Sequence, residues 1–193
     1  NMRSAFEANA VVIVLLNEFS YGDFARSTGQ LVLEDIKSLI SRLLKGEYAE
    51  KETLLVLEEL GVYVNNGIEG LLNRSRSAGV KTIVSMQTTA DVDKVNPDLT
   101  RQIIGNCNDF MIMRVTDQDS AETMAKLIGT EKNIQKTSRT TEGISTGESS
   151  NKLVDQFRIS PNEIKNLPSL FGIYYTKEKP NEVKRFKTKF IKV

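Results

Sequence analysis

The chain has 193 residues, 39% apolar and 26% charged, and a formal net charge of +1. That length suffices for one α/β domain with a proper core, and the near-neutrality excludes any global electrostatic case for nucleic acid or an acidic partner, leaving only local patches. No histidine occurs and Cys107 is the only cysteine, which excludes Ser-His and Cys-His nucleophile pairs, cysteine-cluster metal sites and internal disulfides.

In chain order, "AVVIVLL" (10–16) predicts a first buried strand. It is far shorter than the roughly 20 apolar residues that span a bilayer and lacks the basic flank of a signal peptide. A helical pattern then runs from about Asp23 to Leu44, with Leu31, Ile36, Leu39, Ile40 and Leu43 at helical spacing. "LLVLEE" predicts a second strand, followed by a helix around Asn66 to Ala78. "KTIVSMQ" (81–87) predicts a third strand, leading to a loop and a short helix near Leu99 to Ile104. "DFMIMRV" (109–115), with Met111 and Met113 assigned to the core, precedes a helix over 119–129 that Gly129 stops. Residues 130–152 hold two isoleucines among polar residues and glycine, which predicts a flexible loop. In "SPNEIKNL", Ser160 caps, Pro161 fits the first helical position and Glu163 completes a capping box. "LFGIYYTK" and "VKRFKTKFIKV" flank "EKPNE", the pattern of a closing antiparallel pair. Strands alternating with helices predict a single α/β domain over 1–193, its mostly parallel sheet covered by helices on both faces.

Ligands of open parallel sheets sit beyond the carboxyl ends of the strands. There the chain offers Asn17-Glu18, Glu58-Glu59 and Gln87-Thr88-Thr89. A strand apolar on both faces ending in two adjacent acids has two readings: the acids meet Mg²⁺ and a nucleotide phosphate, or the strand has simply reached water. Oxygen ligands of this kind suit Mg²⁺. Gln87 has the alternative of a satisfied polar residue, and Arg74 and Arg76 that of surface charges. The helix carrying those arginines runs antiparallel to its strands, so they fall near the opposite edge, within reach of a neighbour in a ring. The basic tail, with Lys184, Arg185, Lys187, Lys189 and Lys192, has two uses: touching DNA phosphates or guarding an edge strand.

Taken together, "LLVLEELG…LLNRSRSAGVKTIVSMQTTADV…IIGNCNDFMIMRVTDQDSAETMAKLIGT…SPNEIKNLP" resembles the conjugative coupling proteins of type IV secretion, the TraD/TraG group of the FtsK/HerA-like DNA-pumping ATPases. The resemblance implies a RecA-like P-loop NTPase core, ATP and Mg²⁺ as cofactors, and DNA, a relaxase and secretion-channel components as partners. It implies a homo-hexamer tethered at the cytoplasmic side of the membrane. By the same resemblance Glu58 falls on the Walker B acid that holds Mg²⁺ through water, where the family usually has aspartate. Glu59 falls on the acid that orients the attacking water, Gln87 on the sensor of the γ-phosphate, and Arg76 on the arginine offered to the neighbouring subunit. Arg114 is the reserve for that last role, with a structural ion pair as its alternative.

A Walker A loop is absent, since none of the twelve glycines precedes a lysine. The resemblance therefore implies the carboxyl-terminal part of a longer ATPase, inactive alone and lacking the P-loop strand of the sheet. Three outcomes are expected at that gap: closure of the sheet, a strand borrowed from another copy, or a mobile edge. The alternative to a motor fragment is a catalytically silent binding or assembly module of the same fold.

Overall fold

In the computed structural model, which describes residues 1–49, 51–141 and 144–189, Asn1–Asn108 and Asp109–Val193 form separate units. The first begins with helices α1 (Met2–Glu7), α2 (Glu18–Tyr21) and α3 (Asp23–Leu44). Strand β1 (Thr53–Leu57) and a 3₁₀ turn (Leu60–Val62) follow. Helix α4 (Ile68–Ser77), strand β2 (Val80–Val84) and helices α5 (Thr89–Asp93) and α6 (Leu99–Asn106) complete the unit. Strands β1 and β2 pair in parallel, with Leu55 opposite Thr82 and Leu57 opposite Val84. One helix links them, as a parallel crossover requires.

The core of this unit gathers Leu33, Ile36 and Ile40 of α3 with Leu57, Leu60, Ile68, Leu71 and Val80. The expected seam of α3 holds at Ile36, Leu39 and Ile40, which are buried, and fails at Leu31, which is exposed while Leu33 is buried. Apolar spacing alone does not separate two neighbouring stripes on an apolar-rich helix. The expected first strand is not formed. Val11, Ile13 and Leu15 are 90%, 77% and 88% exposed, no described strand pairs with the segment, and only Leu16 packs on the core. Extended backbone without a neighbouring ladder has no hydrogen bonds to make it a strand.

The second unit comprises strand β3 (Asp109–Ile112), helix α7 (Gln118–Ile128), strands β4 (Thr130–Thr141) and β5 (Ile144–Phe157), helix α8 (Pro161–Lys165), and strands β6 (Phe171–Thr176) and β7 (Val183–Lys187). Its main sheet is antiparallel, in the order β3-β6-β7, so the closing pair of the sequence pattern exists and also takes in β3. Ile112, Ala121, Ala125, Ile128, Ile164 and Ile173 form its core. The predicted helix start and stop are in place, although the Glu163 carboxylate pairs with Arg185 and does not complete the capping box. Ser160 Oγ accepts from the N–H of Glu163 and Pro161 begins α8, while Gly129 ends α7 at φ +93°.

Two expectations for this unit are corrected. Met111 is 76% exposed and Met113 is also exposed, because period-two alternation turns Phe110 and Ile112 to the core and the methionines to the opposite face. Residues 130–152, expected as a loop, pair instead as an antiparallel ribbon from Thr130 opposite Phe157 onwards. Ladder bonds need no apolar side chains, which is why polarity misleads there. Described strands fall into three separate sheets, so of the three alternatives at the gap, closure into one continuous sheet is not formed among the described residues. Of the basic tail, Lys192 lies outside the described residues. Arg185 is ion-paired with Glu163, and Lys184 with Glu182 at 3.7 Å. Among the described residues no helix is long and apolar enough to cross a membrane.

Candidate functional site

Strand β1 ends at Leu57, and the chain turns at once. Leu57 C=O accepts from the N–H of Ser85 at 2.9 Å, and Ser85 C=O accepts from the N–H of Leu60 at 2.9 Å. These bonds carry the parallel ladder one step past both strands. The turn between them needs Glu59 in the left-handed region, at φ +48° and ψ +49°. An L-residue other than glycine or asparagine enters that region at a cost of about 1 kcal/mol or more. The Ser85 hydroxyl accepts weakly from the N–H of Glu59, at 3.3 Å. Tyr63 donates its phenolic O–H to the backbone carbonyl of Glu58 at 2.9 Å. Tyr63 is itself buried, and burial, with the charge of Glu58 adding to it, raises its phenol above the ordinary value.

The consequence is a side-chain contact between the two strand ends. Gln87 Nε2 donates to Glu59 Oε1 at 2.7 Å. Thr88 then starts the next element, its hydroxyl accepting from the N–H of Ala90 at the head of α5. Gly61 lets the turn approach that helix closely, since a Cβ there would fall 2.7 Å from Asp91 Cβ. An exposed carboxylate held by an amide, next to a second exposed carboxylate, is an arrangement that can accept a proton and orient water.

Both acids are exposed. The cost of burying paired carboxylates therefore does not arise in this chain. Only one face of the strand pair is covered, and Leu54, Val56 and Ile83 lie exposed on the other. Asn17 does not join the acids: its side chain accepts from the N–H of Ser20 as the cap of α2. Arg76 sits exposed in the last turn of α4, just before β2 begins. Gln87 lies seven residues beyond Val80, roughly 20 Å along an extended chain. Arg76 is thus at the opposite edge from the acid–amide contact. Arg114 follows β3 in the second unit and is exposed, and among the described residues it has no ion-pair partner. Ser85 and Tyr63, which fix the turn, were not legible as site residues, although each lies at a strand end or one turn beyond it.

The donor set fits one half of a magnesium nucleotide. Exposed carboxylates suit Mg²⁺ as hard oxygen ligands, but two acids fall short of a cage, and among the described residues no group of three or more potential ligands exists. The phosphate half has no counterpart, because the chain has no glycine-lysine step to cradle an anion.

A parallel strand pair with an acid–amide edge, joined in sequence to an antiparallel three-stranded sheet, defines an α/β protein. The fold is similar to that of a bacterial conjugative coupling protein, TrwB, in an unbound monoclinic form, with a TM-score of 0.63, 17% identity, and coverage of 81% of this chain and 36% of that one. It is similar to TrwB in complex with a non-hydrolysable ATP analogue, with a TM-score of 0.65, 16% identity and coverage of 86% and 37%. A third similarity is to TrwB in complex with ADP and Mg²⁺, with a TM-score of 0.60, 15% identity and coverage of 88% and 39%. No curated protein matches the chain in sequence. The family model described as the TraM recognition site of TraD and TraG matches residues 52–169, and the chain belongs to that family. It spans well under half the length of the solved TrwB chains.

Proposed function

We propose that this chain supplies the water-orienting edge of an ATP-driven DNA-translocating coupling ATPase, serving conjugative DNA transfer through a type IV secretion system. The observation that carries the reading is the 2.7 Å hydrogen bond from Gln87 to Glu59 at the carboxyl ends of adjacent parallel strands. Support for the nucleotide comes from TrwB, which is similar in fold and has been solved with an ATP analogue and with ADP and Mg²⁺. In this reading the chain is a RecA-like core without its P-loop strand, both units belong to one nucleotide-binding domain, and the missing strand and phosphate cradle come from elsewhere in a longer protein.

Mg²⁺, when bound with nucleotide, neutralises charge on the phosphates. Glu58 would hold the ion, at the position where the family usually has aspartate, one methylene shorter. Glu59 accepts a hydrogen bond from the attacking water, and Gln87 keeps the carboxylate aimed. Arg76, at the far edge, serves the site of the next subunit in a hexamer, where a guanidinium offsets charge on the transferred phosphoryl group. Arg114 is the second candidate for that role. DNA, a relaxase, channel components and, from the family's description, TraM are the partners. The longer protein works at the cytoplasmic side of the membrane.

The test places the chain in a polypeptide carrying a Walker A loop and measures DNA-stimulated ATP hydrolysis in mixed oligomers. Arg76→Ala subunits are expected to silence neighbours whose own Glu59 is intact. Turnover unchanged by the Arg76→Ala subunits would remove Arg76 from the site. One observation favours a second reading for the chain alone: without a phosphate cradle it is a catalytically silent module by itself.

A further inference from the structure

We propose that the groove between α3 and α4 is a docking site for an acidic, partly apolar peptide segment of a partner protein. This goes beyond the nucleotide reading and uses none of its site residues. Lys37, Ile40, Ser41 and Leu44 recur at helical spacing on α3, and Gly67, Gly70, Leu71 and Arg74 do so at α4. Two stripes therefore face each other along a seam. Between them is a cavity of about 440 Å³, within the size range of ligand pockets.

The chemistry of the seam is divided. Its floor is apolar, with Ile40 and Leu71 buried and Leu44 half-exposed. Its rim is cationic, formed by Lys37, Lys45 and Arg74, and no carboxylate lines it. Lys37 is answered by Glu34 at 2.6 Å. Among the described residues, Lys45 and Arg74 have no ion-pair partner, although surface pairs are frequent elsewhere on the chain.

Gly70 gives an independent indication. Its φ is not positive, and a Cβ added there would meet nothing within 4 Å. Neither backbone conformation nor packing calls for glycine at a helical position where it costs stability relative to alanine. It lines the groove, where the absence of a side chain leaves open space.

A ligand that answers both parts has negative charge and an apolar side chain on one short surface. An amphipathic acidic helix offers both, with leucines for the floor and carboxylates for the rim. The phosphate backbone of DNA would satisfy the cations but leave the exposed apolar surface of Leu44 uncovered. Rim charges of this kind govern association rate and salt dependence more than intrinsic affinity.

The probe is a fluorescein-labelled synthetic helix with glutamates on one face and leucines on the other, titrated with the full chain by fluorescence anisotropy. Saturable binding that weakens steeply with added salt is expected. Gly70→Trp, which fills the groove, and the double substitution Lys45→Glu with Arg74→Glu are each expected to weaken it at least tenfold. Far-UV circular dichroism checks that both variants remain folded, and the charge pair, being exposed, gives a reading even if the tryptophan variant does not fold. Affinity unchanged in the charge pair, or absence of saturable binding, overturns the proposal. So does displacement by an unlabelled DNA duplex that loses its own affinity in the same variants, which would make the groove a phosphate-binding surface.

Discussion

Replacing glycine by alanine at two helical positions, Gly29 and Gly70, is expected to move stability in opposite directions. On propensity alone both changes stabilise, by roughly 0.5–1 kcal/mol. At Gly29 the new Cβ would fall 2.6 Å from Tyr63 Cβ and 2.8 Å from Leu16 Cδ1, where carbon atoms prefer about 3.5–4.0 Å. Tyr63 must then retreat by about 1 Å, and overpacking of this degree costs about 1–3 kcal/mol. The net expectation is a loss of about 1–2 kcal/mol. At Gly70 nothing lies within 4 Å, so the propensity gain stands. In urea the two midpoints should separate by roughly 1 M, given slopes of about 1–3 kcal/mol per M. Far-UV circular dichroism reads the transitions, and hydrogen exchange of peptides from α3 assigns the change to the first unit. Because Tyr63 also bonds the carbonyl of Glu58, Gly29→Ala should speed exchange in the turn after β1 as well. Stabilisation by both alanines would refute the described packing of Tyr63 and Leu16 on α3.

Tyr63→Phe removes the hydroxyl that holds Glu58, and its expected cost is about 1 kcal/mol, measured by the same urea titration. Asp117 accepts from the N–H of Ser120 at 2.8 Å as the cap of α7, and hydrogen bonds from Ser120 hold its carboxyl below the ordinary value. A lowered folded value means stability that is full above the unfolded aspartate value, about 4, and lost as pH falls through the folded one. Asp117→Asn keeps a capping oxygen without a titrating group, so its thermal midpoint should fall less than that of the parent chain between pH 5 and pH 2 (values bracketing the usual aspartate range of about 4). Equal slopes would count against the cap.

Much of the architecture was legible because the sequence marks it with local chemistry. Ser160, Pro161 and Glu163 announce a helix start, and Gly129 announces an end, since both depend on residues a turn apart. The meeting of Glu59 with Gln87 was legible from a topological rule, that neighbouring parallel strands end side by side. The misreadings share one cause, dependence on a partner elsewhere. "AVVIVLL" has the composition of a strand, but a strand exists only beside another, and no described strand lies beside it. The ribbon over Thr130–Phe157 is the converse, polar residues that pair through backbone alone. Met111 resembled a core residue because apolarity does not say which face of β3 is covered. The left-handed turn at Glu59 left no trace in sequence, since no glycine marks it.

The most direct test concerns Glu59 in a polypeptide that carries the chain together with a Walker A loop. Nucleotide affinity and DNA-stimulated turnover are measured separately for the wild type and for Glu59→Gln, which preserves shape and can still bond Gln87. The account predicts that nucleotide binding changes less than threefold while turnover falls by about 10²–10⁴, the usual worth of a positioned general base. Turnover within twofold of the wild type, with binding intact, would contradict it.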